Sequence, residues 1–195
     1  MPRTARKLID NGIYHVMLRG HNRAKLFESC EDYRRFLSTL SRYKKKFPFN
    51  LYHYCLMPNH IHLLIKIGAA ENLPKLMSCV SLSYSHYSRK VYDRVGYIFQ
   101  GRYKSLLIED DSYLLDCGRY IEKNPVRAEI ARDAADYEWS SYNYYARNVP
   151  NSLLTPNPLY RELAVSTHKK QKLYREYIET TRNYEALIDR ALRLK

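Results

Sequence analysis

Long apolar runs are missing from this sequence. No stretch approaches the ~18 residues that a membrane span needs, and the opening MPRTARKLID has no apolar segment of the signal-peptide kind. The expectation is a soluble, cytoplasmic protein. Cysteine pairs are missing as well: Cys30, Cys55, Cys79 and Cys117 stand far apart with no C-x-x-C spacing. That argues against a disulfide framework or a cysteine zinc site and for reduced thiols. No internal repeat or low-complexity segment is evident, and tryptophan occurs once. Acidic charge is scarce, with 20 Asp and Glu against 33 Lys and Arg, a formal net charge of +13.

The excess charge sits at the ends. Residues 1–50 carry +8 and residues 160–195 carry +4, whereas the middle carries +1. A basic surface around a nearly neutral centre suits a polyanion such as nucleic acid, although a basic chain can also be basic for solubility alone. The 195 residues, 45% of them hydrophobic, suffice for one sizeable core. The 20 tyrosines could stack on unpaired bases, but most are expected to pack half-buried.

The hydrophobic period predicts the order β-α-β-β-α-β-α. Residues 12–19 (GIYHVMLR) read as a strand ending at Gly20. Ser29 opens a weak capping box before a helix carrying Tyr33, Phe36, Leu37, Leu40 and Tyr43, which KKKFP ends. Residues 50–57 and 60–67 form a hairpin around Pro58–Asn59. Pro74 suits the first turn of a helix striped by Leu73, Leu76, Val80, Tyr84, Tyr87 and Val91. Residues 98–108 read as a strand with a glycine irregularity, and 109-EDDS-112 offers acidic residues to a helix over 113–123. Pro125 is expected to stop that helix. The fold class is α+β, a ferredoxin-like antiparallel sheet with helices on one face. Residues 1–149 form the domain; 150–195 form a proline-containing linker and a basic helical tail.

The stretch 58-PNHIHLLI-65 needs a chemical reason. Side chains alternate across a strand, so His60 and His62 share one face while Ile61, Leu63, Ile65 and Ile67 take the core face. With Cα atoms about 7 Å apart, two imidazoles can lean onto one metal ion at ~2.1 Å each. They could equally be polar residues on a solvated sheet face. Two histidines do not complete a site in either case.

PNHIHLLI, preceded by YHYCLM and followed by RYIEKNPVRAEI and DYEWSSY, resembles the single-tyrosine HUH transposases. Their REP-associated branch is the nearest in pattern. The likeness spans roughly Gly12 to Tyr145. It implies an HUH nuclease domain in which His60 and His62 bind a divalent metal, Mg or Mn, with imidazole favouring Mn²⁺. It further implies that Tyr120, opening Y-I-E-K-N-P, attacks a DNA phosphate to leave a 5′-phosphotyrosine and a free 3′-OH. Asn124, one helical turn on and on the same face, holds the place of the family's third ligand, although Asn–Pro is also a favoured helix start. The family carries a small residue where this chain has Glu129.

The activity implied is that of a single-stranded DNA endonuclease and strand transferase, working beside hairpins or palindromic repeats in the cytoplasm, at the nucleoid. It would act as a monomer or homodimer. Arg19, Asn22 and Arg23 after the first strand, Arg102 and Lys104 beside Tyr103, and Lys169, Lys170 and Lys172 in the tail are candidate DNA contacts. Two other classes stay open: a nucleic-acid binder without catalysis, and a metal-dependent hydrolase that uses water with Tyr120 merely structural.

Overall fold

The computed structural model describes residues 7–110, 113–180 and 188–190. Four strands, β1 (Ile13–Arg19), β2 (Phe49–Met57), β3 (His60–Ile67) and β4 (Lys104–Ile108), form one sheet in the order β2-β3-β1-β4. The paired neighbours are all antiparallel. Between them run α1 (Cys30–Lys46) and α2 (Asn72–Tyr92), and α3 (Leu114–Arg127) follows β4. This is the expected element order and the ferredoxin-like arrangement.

Alternation divides the sheet's side chains into two sets. Val16, Leu18, Leu56, Ile61, Leu63 and Ile65 join Phe36 and Leu40 of α1 and Leu76 and Val80 of α2 in the main core. Met17, Cys55, Met57 and Leu64 point the other way and meet Cys117, Tyr120 and Ile121 of α3. The helices therefore lie on both faces rather than one. The face assigned to the two histidines is covered by the helix that carries Tyr120.

Local chemistry accounts for most boundaries. The capping box is present: Asp32 accepts from the backbone N–H of Glu28 at 2.7 Å and of Ser29 at 3.0 Å. Val91 leaves the expected apolar stripe of α2 and is 51% exposed. The strand expected over 98–108 survives only as β4, because Gly101 takes a left-handed φ of 69° and ends the ladder. Of the acidic run before α3, Asp111 and Ser112 lie outside the described residues.

Pro125 does not stop α3. The helix continues to Arg127 with the proline inside it. A proline there removes the N–H that would serve the carbonyl of Ile121, and Asn124 Nδ2 donates to that carbonyl at 3.3 Å and to Tyr120 O at 2.8 Å. The preceding side chain supplies the missing donor. Neither Asn124 nor Pro125 begins a new helix. Glu129 follows with a left-handed φ of 56°, a conformation that glycine adopts at lower cost; the small residue of the family pattern has its physical reason here.

The helix α3 is fastened to β2 by two devices. Gly118 packs against His53, where a Cβ would come within 2.6 Å of the ring. The buried carboxylate of Glu122 accepts from His53 Nδ1 at 2.9 Å, Ser141 Oγ at 2.5 Å and Tyr174 OH at 2.6 Å. Asn157 Nδ2 donates to the other His53 nitrogen at 3.0 Å. Ser141 precedes α4 (Tyr142–Arg147), α5 is Pro158–Glu162, and Tyr174 lies in α6 (Thr167–Glu179). Residues 150–180 pack on the domain: Leu153 and Leu154 are buried in the main core, and Thr155 N donates to Leu51 O at 2.8 Å. Among the described residues no helix is long and apolar enough to cross a membrane.

Candidate active site

The register of β1 against β3 sets His60 opposite Arg19 and His62 opposite Met17. His60 is half-buried at the strand's start, where its Nδ1–H donates to Asn59 Oδ1 at 2.7 Å. That fixes the tautomer and leaves the lone pair on Nε2. His62 is fully buried, and its Nδ1 lies 2.8 Å from Nε2 of His15, a third buried imidazole on β1. His62 Nε2 has no hydrogen-bond partner. His15 Nδ1 is likewise without a partner, and in the tautomer with His62 Nδ1–H donating to His15 Nε2 the His62 Nε2 atom carries a lone pair.

Burial holds all three rings neutral. It pushes His15 down to about 3 and His60 to about 4, the latter helped by the Arg19 cation, and it places His62 well below the ordinary histidine range. The sign for stability follows. Below pH 6.5 the unfolded chain gains protons that the folded chain refuses, so stability falls with pH until the folded values are reached. For His15 alone the loss is about 2–3 kcal/mol at pH 4.5. Thermal unfolding in EDTA should therefore show Tm dropping from about pH 6.5, above the range in which carboxylates titrate. A flat Tm between pH 6.5 and 5 would contradict three neutral buried rings.

From the other side, α3 presents Tyr120, Asn124 and Arg127. The spacings of four and three residues put them on one helical face, provided the helix runs through Pro125. The Tyr120 ring lies 5.6 Å from that of His15 and 5.8 Å from that of His62, centroid to centroid; the His60 and His62 centroids are 5.0 Å apart. Arg127 stacks its guanidinium 4.8 Å from the Tyr120 ring centroid. A cavity of about 240 Å³ between the two walls is lined by Arg19, His60, Tyr120, Asn124, Arg127 and Asp189, among others.

Asp189 arrives from 69 residues further along the chain. Tyr120 OH donates to its Oδ1 at 2.7 Å, and Arg127 donates to its Oδ2 at 2.9 Å. Burial, followed by this carboxylate, pushes the Tyr120 phenol above its ordinary range, while Arg127 pulls the other way. The phenol is only 1% exposed.

Comparison with known proteins decides the family. The sequence pattern of the family described as "Transposase IS200 like" matches residues 9–124. The chain belongs to the IS200-like transposase family. A curated relative in Haemophilus influenzae, named as a REP-associated tyrosine transposase, is 26% identical over 152 residues, covering 71% of this chain and 84% of that protein. Among solved structures, a REP-associated tyrosine transposase bound to a REP hairpin superposes with a TM-score of 0.66 at 17% identity, over 80% of this chain and 92% of the other. At that identity the likeness establishes the fold alone, the α+β ferredoxin-like arrangement expected from the sequence.

In this IS200-like transposase chain, His60, His62 and Asn124 are the residues whose donor atoms could hold a divalent ion. His60 Nε2 is left free by the bond of its Nδ1 to Asn59, and His62 Nε2 is a buried nitrogen without a hydrogen-bond partner; the two ring centroids are 5.0 Å apart. The Asn124 amide nitrogen is engaged by the helix backbone, so its oxygen is the pole left for a cation. Among the described residues no cluster of three or more His, Cys, Asp or Glu could hold a metal.

The candidate DNA contacts are scattered. Arg19 alone among them lines the cavity; it is half-buried, and Arg23 lies close enough to lower its pKa further after burial itself. Asn22 and Arg23 sit exposed in a left-handed turn. Arg102 and Lys104 are exposed before and at the start of β4, and Lys169, Lys170 and Lys172 lie along α6. The last residues of the tail, 181–187 and 191–195, lie outside the described residues. Sequence reasoning missed His15, Arg127 and Asp189. His15 shares the strand parity of Met17 and Arg19, a signal that was legible; Arg127 lay inside the N-P-V-R-A motif; nothing marked Asp189.

Proposed function

We propose that this chain is a metal-dependent single-stranded DNA endonuclease and strand transferase that works beside hairpins or palindromic repeats through a 5′-phosphotyrosine. The observation that carries this reading is the meeting of Tyr120, Asn124 and His60 around one cavity, with the buried His62 ring 5.8 Å from that of Tyr120. A solved family member is bound to a REP hairpin, and the basic ends of this chain suit the same class of ligand.

In this mechanism His60, His62 and Asn124 would hold a divalent ion, Mn²⁺ or Mg²⁺. When bound, such an ion would supply Lewis-acid polarisation of the scissile phosphate. Tyr120 Oη forms the new bond to phosphorus and the P–O3′ bond breaks. The 3′ oxygen leaves as a hydroxyl, with the phenol's proton delivered through solvent. The retained ester bond conserves energy for rejoining to another strand. Arg19 at the rim offers a phosphate contact.

Asp189 must leave before Oη can attack. Hydrogen bonds to a charged acceptor contribute about 1.5–3 kcal/mol each, so weakening this hold shifts the open population by about ten- to a hundredfold. Asp189→Ala is therefore expected to speed adduct formation by that order, measured in single turnover. An unchanged or slower rate would remove the carboxylate from any restraining role.

The deciding experiment incubates the chain with Mn²⁺ and single-stranded oligonucleotides from palindromes flanking its own gene, then resolves products on a denaturing gel. A protein–DNA adduct is the expected result. Cutting without attachment identifies a hydrolase using water, and binding without cutting identifies a non-catalytic binder; either overturns the proposal.

A further inference from the structure

The Asp189 carboxylate stands where a substrate anion would have to go. Its two oxygens bridge the Tyr120 hydroxyl at 2.7 Å and the Arg127 guanidinium at 2.9 Å. Chemically it is a planar anion with two acceptor oxygens, and in that respect it stands in for the two nonbridging oxygens of a phosphodiester. The seat it occupies is built. Arg127 is aligned by stacking at 4.8 Å on the very ring whose oxygen it flanks, and Arg19 and His60 line the same cavity.

We propose that Arg127 is a catalytic residue that seats the scissile phosphate in the position now held by the Asp189 carboxylate, beside Tyr120 Oη. This rests on the reading of Tyr120 as the nucleophile. A guanidinium presents donors in a planar fork that matches phosphate oxygens. Held by the ring below it, the fork can take one nonbridging oxygen and leave phosphorus facing Oη. As the bond to Oη forms and the P–O3′ bond breaks, negative charge grows on the nonbridging oxygens, and a fixed cation there stabilises the transition state more than the ground state. No additional reactant is needed, and Arg127 keeps its protons throughout.

An ordinary salt bridge that merely tethers the C-terminal segment would have the same geometry, so the test removes Asp189 first. In the full chain carrying Asp189→Ala, adduct formation with Mn²⁺ is compared with and without Arg127→Ala. Two oligonucleotides are used: one with a normal scissile phosphodiester and one with a methylphosphonate there, which lacks one charged nonbridging oxygen. Loss of one oriented donor of this kind costs about 10²–10³-fold, so that drop is expected on the phosphodiester. On the methylphosphonate the same substitution should cost under about tenfold, because the charge it answers is gone. Added guanidinium ion should restore part of the phosphodiester rate. Equal losses on the two substrates, or a rate near that of the Asp189→Ala parent, would overturn the assignment. If circular dichroism shows Arg127→Ala unfolded, Arg127→Gln is read by the same ratio. No adduct from the parent at all would overturn the proposed function and this inference with it, whereas an active parent with an unaffected variant sinks this inference alone.

Discussion

Tyr120→Phe is expected to fold and bind DNA while the covalent product disappears, a loss of at least about 10⁴-fold in adduct formation. Only the hydroxyl is removed. The ring contacts with His15 and His62 and the Arg127 stack remain available to phenylalanine. The stability cost is the lost hydrogen bond to Asp189, about 1–3 kcal/mol. The chain has 20 tyrosines, so substitution of one for another is the obvious objection. No other tyrosine lines this cavity among the described residues. Mass analysis of the trapped peptide is the check, and an adduct persisting in the phenylalanine variant would place the nucleophile elsewhere.

His60→Ala and His62→Ala are expected to abolish metal-dependent cutting, each by about 10³-fold, the equivalent of several kcal/mol of transition-state charge stabilisation. Wild-type protein in EDTA should fall to the same level, and the variants should then be indifferent to EDTA. Their stabilities should differ. His60 is half-buried and its polar partner is its own neighbour Asn59, so its removal is mild. His62 is fully buried against His15, and its removal opens a cavity while leaving His15 Nε2 without its partner. That is a loss of about 2–4 kcal/mol. Wild-type cutting that proceeds equally in EDTA would eliminate the metal from the mechanism.

Much of this architecture was legible in the residues because strands and helices leave different periods. The alternation of HIHLLIKI placed His60 and His62 on the face away from Ile61, Leu63 and Ile65, as found. It could not tell what covers that face. The closing helix is recognised only once α3 is known to run across it, and the expectation that Pro125 ends the helix hid Arg127 from the same wall. The rule failed locally because Asn124 supplies the donor that proline lacks, a compensation that propensity arguments do not see. His15 needed the β1–β3 register before it could be set beside His62. Asp189 depends on a contact across 69 residues, and no local pattern encodes such a contact.

The way Glu122 is held bears on which copy would supply the proposed nucleophile. Its carboxylate, two positions along from Tyr120, accepts hydrogen bonds from His53 in the sheet, Ser141 and Tyr174, all in the same polypeptide. Lending α3 to a neighbouring molecule would strand that anion in a dry interior, at about 3–5 kcal/mol for a broken buried pair, unless the neighbour reproduced every donor. On the proposed mechanism, that cost favours each molecule working with its own Tyr120 over an exchange of α3 between copies.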